Sequence, residues 1–378
     1  MSQDWDAKTP DNIYLGRQPF LPLELILRIL QPLRYEYAAL LQLSLTCKLL
    51  HAEVQPLLYN SLDKSYDLRG GPPPEAYTNN PSLAKFIRTI TYMQYENIKE
   101  NEAMEKILAG AFAHRMPNLT SMTLRFDRIF PQNFLSKGEF QLEELWLDGE
   151  LYPADLEVTL WHQKRLKKLR SKNCNRGLPP IPLSVCPELH TLEADISVIE
   201  AFLPLHHIHT LIWDLEYYNS YKDKLLDSLD HLTQGLRGLK RLCYPLAANL
   251  PTLKSLTKHL TSLQYLAINY PINMSSFSGR DYLISTNLPQ DLSVIPFLRG
   301  LILSLSHSYP PCDITNDLME SIFQACAHLE FVDTETHGPH SQTSRHFARW
   351  TRGTSGVLCT KQETLLGYRK LANYLVYL

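Results

Sequence analysis

What most restricts this chain is a short apolar triplet, L-x-x-L-x-L or a near variant, that returns ten times between residues 87 and 334. It reads Ile87-Ile90-Tyr92, Leu119-Met122-Leu124, Leu142-Leu145-Leu147, Leu166-Leu169-Ser171 and Leu189-Leu192-Ala194 in the first half. Then follow Ile208-Leu211-Trp213, Leu239-Leu242-Tyr244, Leu263-Leu266-Ile268, Leu298-Leu301-Leu303 and Leu329-Val332-Thr334. Successive first positions lie 32, 23, 24, 23, 19, 31, 24, 35 and 31 residues apart. Two residues is the period at which a strand returns side chains to one face, so each triplet predicts a short strand with its apolar positions in a core. A unit this small cannot bury that face alone and needs its neighbours on both sides.

The spacing resembles that of leucine-rich repeats, whose units run to roughly 20–29 residues, the longer intervals carrying insertions. The resemblance implies an irregular α/β solenoid, with parallel strands on the concave side and helices and loops on the convex side. Two helical stripes fit the return segments: Met104, Ile107, Leu108, Ala111 and Phe112, and Met319, Ile322, Phe323, Cys326 and Ala327. The asparagine that usually follows the strand is mostly missing. Accidental spacing within a leucine-rich α/β domain is the alternative.

Ahead of the repeats, residues 21–66 are rich in leucine at helical spacing. Leu25, Ile26, Ile29, Leu30 and Leu33 form one apolar face, which Pro32 should end or kink after about three turns. A second helix from about Tyr37, with its continuation, carries Ala38, Leu41, Leu45, Leu49 and Val54 until Pro56 breaks the pattern. Some forty residues bury too little surface to be comfortably stable alone, so these faces should be shared with a partner or a neighbouring domain.

Leu21-Pro22, Glu24, the Leu/Ile-rich first helix, Leu40-Leu41, Leu43, Ser44, Cys47, Lys48 and Leu50 resemble the F-box. The likeness is to the fungal type, which runs on through a C-K-x-L-H pattern (Cys47 to His51) and a P-L-L-Y-x-S-L tail (Pro56 to Leu62). It covers about a ninth of the chain, and Gln31-Pro32-Leu33 departs from it by placing a proline at the end of the first helix. The resemblance implies binding to a Skp-type adaptor of a cullin ubiquitin ligase. The contacts it assigns are Leu21, Pro22, Glu24, Leu25, Ile29, Leu40, Leu41, Ser44, Cys47 and Leu49. A generic helical hairpin whose leucines are simply core is the alternative.

Domain limits follow from composition: a polar segment 1–20, the F-box-like 21–66, a linker 67–81, repeats 82–337 and a C-terminal cap 338–378. The linker, DLRGGPPPEAYTNNP, opposes both helix and central strand. In the cap, Leu365, Leu366, Leu371 and Leu375 suggest a final amphipathic helix over the open edge of the array.

Composition bounds function as well. A net charge of -2 leaves no global excess of cations for nucleic acid. Seven scattered cysteines with no C-x-x-C pair fit a reducing compartment, and no apolar run suggests a signal peptide or membrane span, so a cytoplasmic or nuclear location is expected. No phosphate-cradling glycine motif occurs, and Gly353-Thr354-Ser355-Gly356 lacks nucleophile-elbow spacing. His206, His207 and His209 lack ligand-spaced companions, and Cys174 with His190 lacks an orienting third group. No cofactor, metal or catalytic residue is expected. The basic run Lys164, Arg165, Lys167, Lys168, Arg170 and Lys172 interleaves with Leu166 and Leu169 and so predicts a solvated strand face.

Those readings converge on a non-catalytic substrate receptor of a Skp-cullin-F-box ubiquitin ligase, with a repeat scaffold lacking any ligase role as the alternative and a hydrolase built on scattered Cys and His as a weaker one. The repeat phase also names the outward residues. Glu144, Lys168 and Thr191 fall in one row, Trp146, Arg170, Glu193 and Ile212 in the next, and Asp148, Lys172, Asp195 and Asp214 in a third. Trp146, Arg170, Glu193, Ile212 and Asp214, with Tyr265 further along, are the candidate target-binding residues.

Overall fold

The structure, a computed structural model, describes residues 22–63, 80–93, 116–125, 140–149, 153–172, 178–214, 229–246, 250–269, 287–304, 315–336, 344–353 and 356–366. The linker and the Met104–Phe112 stripe therefore lie almost wholly or wholly outside the described residues.

Among the described residues one sheet of thirteen strands, ordered as in the chain, organises everything else. Its strands are β1 (Ser61–Asp63), β2 (Thr89–Met93), β3 (Ser121–Arg125), β4 (Glu144–Asp148), β5 (Lys168–Lys172), β6 (Thr191–Ala194) and β7 (Thr210–Trp213). They continue as β8 (Arg241–Pro245), β9 (Tyr265–Asn269), β10 (Gly300–Ser304), β11 (Phe331–Thr336), β12 (Ser344–Gly353) and β13 (Gly356–Leu366). From β1 to β11 every neighbour pair is parallel. Parallel neighbours cannot be joined by a tight turn, so consecutive strands need a crossover connection. All thirty triplet positions from Ile87 to Thr334 are at most 3% exposed, and the expected phase holds throughout. A side chain buried in this way contributes roughly 1.5–3 kcal/mol, and it does so only because the adjacent turns supply the other wall.

Return segments hold the helices α4 (Pro153–Trp161), α5 (Ile196–Phe202), α6 (Thr233–Gly238), α7 (Leu253–Thr257), α8 (Leu288–Ser293) and α9 (Asn316–Ala325). Along α9, Met319, Ile322 and Phe323 enter the core, with Cys326 buried just beyond its end and Ala327 exposed. Gly235 in α6 is required by close approach, since a Cβ there would lie 2.1 Å from the Leu203 carbonyl oxygen. Two polar side chains do work that a repeat asparagine would otherwise do. Buried Gln163 accepts from the Leu142 N–H at 2.8 Å, and the ring nitrogens of buried His206 lie 3.1 and 2.8 Å from the carbonyl oxygens of Phe202 and Val185. Each thereby satisfies backbone groups of an adjacent turn that burial has cut off from water.

The N-terminal helices are α1 (Leu23–Leu30), a 3-10 turn at Gln31–Tyr35, α2 (Tyr37–Ser44) and α3 (Lys48–Leu58). Pro32 lies in the first turn of the 3-10 segment, so α1 stops where its missing N–H would begin to cost. Two expectations are corrected here. Pro56 does not end α3, which runs on to Leu58, because near a C-terminus the proline forfeits little more than its own bond. The buried positions are Ile26, Leu30, Leu40, Val54 and Leu58; of the expected stripe Ala38, Leu41, Leu45, Leu49 and Val54 only Val54 is buried, because α2 and α3 are separate helices broken at Cys47.

The sheet begins earlier than the composition suggested. Leu62, inside the F-box-like tail, is in β1, pairs with Ile90 and is fully buried in the main core. Residues 64–79 thus follow the first strand, and the helices are joined to the solenoid by continuous backbone pairing through Asn60, whose carbonyl accepts from Arg88 at 2.8 Å.

At the other end, β12 and β13 form an antiparallel hairpin paired to β11. Leu365 and Leu366 belong to β13 and not to the expected helix; Leu371 and Leu375 lie outside the described residues. Trp350 of β12 closes the core, its indole N–H donating to Thr334 Oγ1 at 3.0 Å, which satisfies the threonine that stands where most earlier repeats place an apolar residue. Arg352 donates to the Cys326 carbonyl at 2.7 Å, a cation at the C-terminal end of α9.

Candidate functional site

The inward leucines fix the opposite face of the sheet. Strand register sets Glu144 beside Lys168 and Lys168 beside Thr191; it sets Trp146 beside Arg170, Arg170 beside Glu193 and Glu193 beside Ile212. Asp148 is level with Lys172. Within this frame the Arg170 guanidinium carbon lies 3.9 Å from the Trp146 ring centre, and its Nη2 is 2.7 Å from Glu193 Oε1. Lys168 Nζ is 2.6 Å from Glu144, and Arg125 Nε is 3.7 Å from Asp148. Unlike charges on neighbouring strands about 4.8 Å apart neutralise one another laterally.

Three expected members of this surface are closed to solvent. Ile212 is buried, as are Cys243, Ala267, Ile302 and Asp333, which occupy the same row on the following strands. The outward row is therefore accessible at Trp146, Arg170 and Glu193 and closed from Ile212 to Asp333. Asp195 is also buried, because it caps α5 and accepts from the Val198 N–H at 3.2 Å. Thr191 is buried too, while Asp214, just past β7, remains half-buried.

Tyr265 takes part in a second cluster that the repeat phase did not single out. Its ring and that of Phe331 are 6.5 Å apart on either side of Gly300, where a Cβ would stand 2.6 Å from Phe331 and 2.8 Å from Tyr265. Arg241 lies 5.9 Å from the Tyr265 ring centre, and Arg349 lies 4.3 Å from that of Phe331 while gripping Asp333 through two 2.7 Å hydrogen bonds. Extending the outward phase beyond β7 would have found Arg241 and Phe331. Arg349 had no such signal, because it reaches the row on an antiparallel strand outside the repeat pattern.

The strand-entry rim carries half of the basic run, Lys164, Arg165 and Lys167, while Lys168, Arg170 and Lys172 lie in β5. Glu143 holds Arg165 at 2.8 Å and Lys167 at 3.1 Å, and these cations keep its carboxyl below the usual range. His190 and His209 follow on the next two strands, each held below the ordinary imidazole value, first by burial and then by neighbouring positive groups.

On the helical module, Leu25, Leu27, Ile29, Leu41, Leu45 and Leu49 are exposed, six of the twelve large apolar side chains in that state among the described residues. Pro22, Glu24 and Cys47 are exposed as well. Leu40 and Ser44 are not surface contacts: Leu40 is core, and buried Ser44 donates to the Leu41 carbonyl at 2.7 Å. Leu21 and Cys174 lie outside the described residues. Leu27 and Leu45 were missed as surface groups because periodicity locates an apolar face without saying what covers it.

Among the described residues no three His, Cys, Asp or Glu groups are placed to hold a metal ion, and no helix is long and apolar enough to cross a membrane. Cys186 and Cys326 are buried thiols pushed up to about 12 and about 11 by desolvation, so they are poor nucleophiles.

A ladder of parallel strands, one per turn, with every inward triplet position buried, defines a leucine-rich-repeat domain of irregular unit length. No family model matches the chain, and no curated protein matches it in sequence. Forty-one chains of solved structures match it in shape. They include an internalin (inlF) from Listeria monocytogenes str. 4b F2365, with 14% identity over 72% of this chain and 84% of that one, at a TM-score of 0.28. An internalin C2 (inlC2) from the same organism has 15% identity over 62% and 80%, at 0.25. TLR13, solved in complex with ssRNA13, has 13% identity over 69% and 47%, at 0.27. The repeat assignment rests on this protein's own strand ladder.

Proposed function

We propose that the protein is the substrate-recognition subunit of a Skp-cullin-F-box ubiquitin ligase, binding a Skp-type adaptor through its N-terminal helices and a target protein through the solenoid. The observation that carries the reading is the uncovered set Leu25, Leu27, Ile29, Leu41, Leu45 and Leu49 within text that resembles an F-box. Contiguous exposed apolar groups of this kind mark interaction sites. Among the contacts that the F-box resemblance implies, Pro22, Glu24, Leu25, Ile29, Leu41, Cys47 and Leu49 have the exposure an adaptor needs, while Leu40 and Ser44 support the module from within. On this reading the chain carries no chemistry. It raises the effective concentration of target lysines at the transferring subunit, in the cytoplasm or nucleus.

The burial of Leu40 and Ser44 favours the rival reading, a repeat scaffold whose helices are only a cap. Co-purification of the full chain with the adaptor separates the two. Leu25→Asp and Leu45→Asp should abolish retention without lowering Tm, since both sites are exposed, and Leu205→Asp, also exposed but outside the module, should retain it. Failure of the wild type to retain the adaptor, or equal retention by Leu25→Asp, sinks the ligase reading.

A further inference from the structure

Four described arginines lie on the outward face of the sheet, and three of them have a carboxylate one strand away: Arg125 with Asp148, Arg170 with Glu193 and Arg349 with Asp333. Arg241 has none. Its register neighbours are Thr210 on β7 and Tyr265 on β9, and its buried Nε makes no hydrogen bond. The surroundings add positive charge without compensation. Exposed Lys240 precedes it on the strand-entry rim, where backbone bonds of 2.9 Å link Lys240 to His209 and His209 to His190. Along that rim the order is Glu143, Lys167, His190, His209, Lys240, Gln264, Arg299 and Glu330, and both glutamates are already engaged, with Lys167 and Arg299. The depressed imidazoles are neutral at pH 7, leaving two permanent cations, Lys240 and Arg241, without an ion-pair partner among the described residues.

A half-buried guanidinium with no counter-ion among the described residues is costly when the other three described arginines on its face each have one, which points to a counter-ion that arrives with a partner. We propose that Arg241 and Lys240, with Tyr265 beside them, receive the carboxylates of an acidic, extended segment of a partner protein laid across the entry ends of β7 to β9. Two free cations match two carboxylates. The strip from Lys167 to Lys240 spans three strand steps, about 14 Å, and ends at an uncharged glutamine, too short a basic track for a nucleic-acid backbone. The inference rests on the solenoid's taking a protein partner and not on the ligase role.

The test is fluorescence anisotropy of labelled octaglutamate titrated with the full-length protein at low salt. Octaglutamate should bind, octaglutamine should not, and Arg241→Gln and Lys240→Gln should each weaken binding about tenfold while Lys258→Gln leaves it unchanged. If Arg241→Gln lowers Tm, Lys240→Gln, at an exposed position, carries the comparison. Equal binding of octaglutamine, or octaglutamate binding indifferent to both substitutions, overturns the proposal. So does capture of a phosphoserine peptide or a single-stranded oligonucleotide with no octaglutamate binding. Adaptor retention is a separate readout, so its loss leaves this inference standing and a failure here leaves the adaptor reading intact.

Discussion

Arg170 covers Trp146, with the guanidinium carbon 3.9 Å from the ring centre, and the same group is held from the far side by Glu193 at 2.7 Å. Stacking of this kind contributes about 0.5–2 kcal/mol, and it orders a Trp-Arg pair on the accessible part of the sheet. Trp and Arg are the residues most enriched where binding energy concentrates. Trp146→Ala and Arg170→Glu should therefore abolish capture of the protein's targets in proximity labelling with the proteasome inhibited, while adaptor retention and Tm stay close to wild type. Unchanged capture would remove the patch from consideration, and a large fall in Tm would make Trp146 a structural residue.

Inward and outward positions on one strand should differ sharply in cost. Leu145 is 2% exposed within the core, so Leu145→Ala should destabilise by about 2–5 kcal/mol in chemical denaturation. Its neighbour Glu144 is exposed and paired only with a solvated Lys168, so Glu144→Ala should stay within about 1 kcal/mol. Equal losses would contradict the strand phase.

Burial also ranks the ion pairs. Asp333 is 2% exposed and held in a two-bond grip by Arg349, so Arg349→Ala strands a desolvated carboxylate and should cost about 1–3 kcal/mol. Arg125→Ala, which breaks a longer and solvated contact, should cost about 0–1 kcal/mol. The pair of unfolding curves measured side by side decides whether the C-terminal hairpin is anchored by this contact.

Acid should loosen the rim before it protonates the carboxylates. The folded-state value of His190 lies below 6.5, through burial and then the nearby His209, Lys168 and Lys167, so the unfolded chain binds a proton more readily. Stability from this group is present above pH 6.5 and is lost as pH falls toward the folded value. Tm should decline in that window, and His190→Gln should decline less steeply. Glu143 acts only at lower pH, because its folded value is held below 4.5. Identical Tm slopes for wild type and His190→Gln between pH 7 and 5 would assign the decline to other groups.

The strand phase was legible because it depends on a local property, the two-residue period, repeated until only one parallel arrangement buries every triplet. From Ile87 to Thr334 the amino-acid sequence alone determined which residues face the core, and through them the register that places Arg170 between Trp146 and Glu193. What it could not determine depends on contacts between distant segments. Whether Leu41 or Leu40 is buried turns on how α2 meets α1 and α3, a matter of interhelical packing and not of periodicity. Ile212 and Trp146 share one row and one phase, yet one is closed off and the other accessible. Leu365 has the composition of a helix face but lies in β13, because the exposed edge at β11 offers unpaired backbone donors and acceptors that a hairpin satisfies and a helix cannot. Only the tertiary structure decided that Arg349 grips Asp333, since an antiparallel strand outside the repeat pattern carries no phase from which that neighbour could be read.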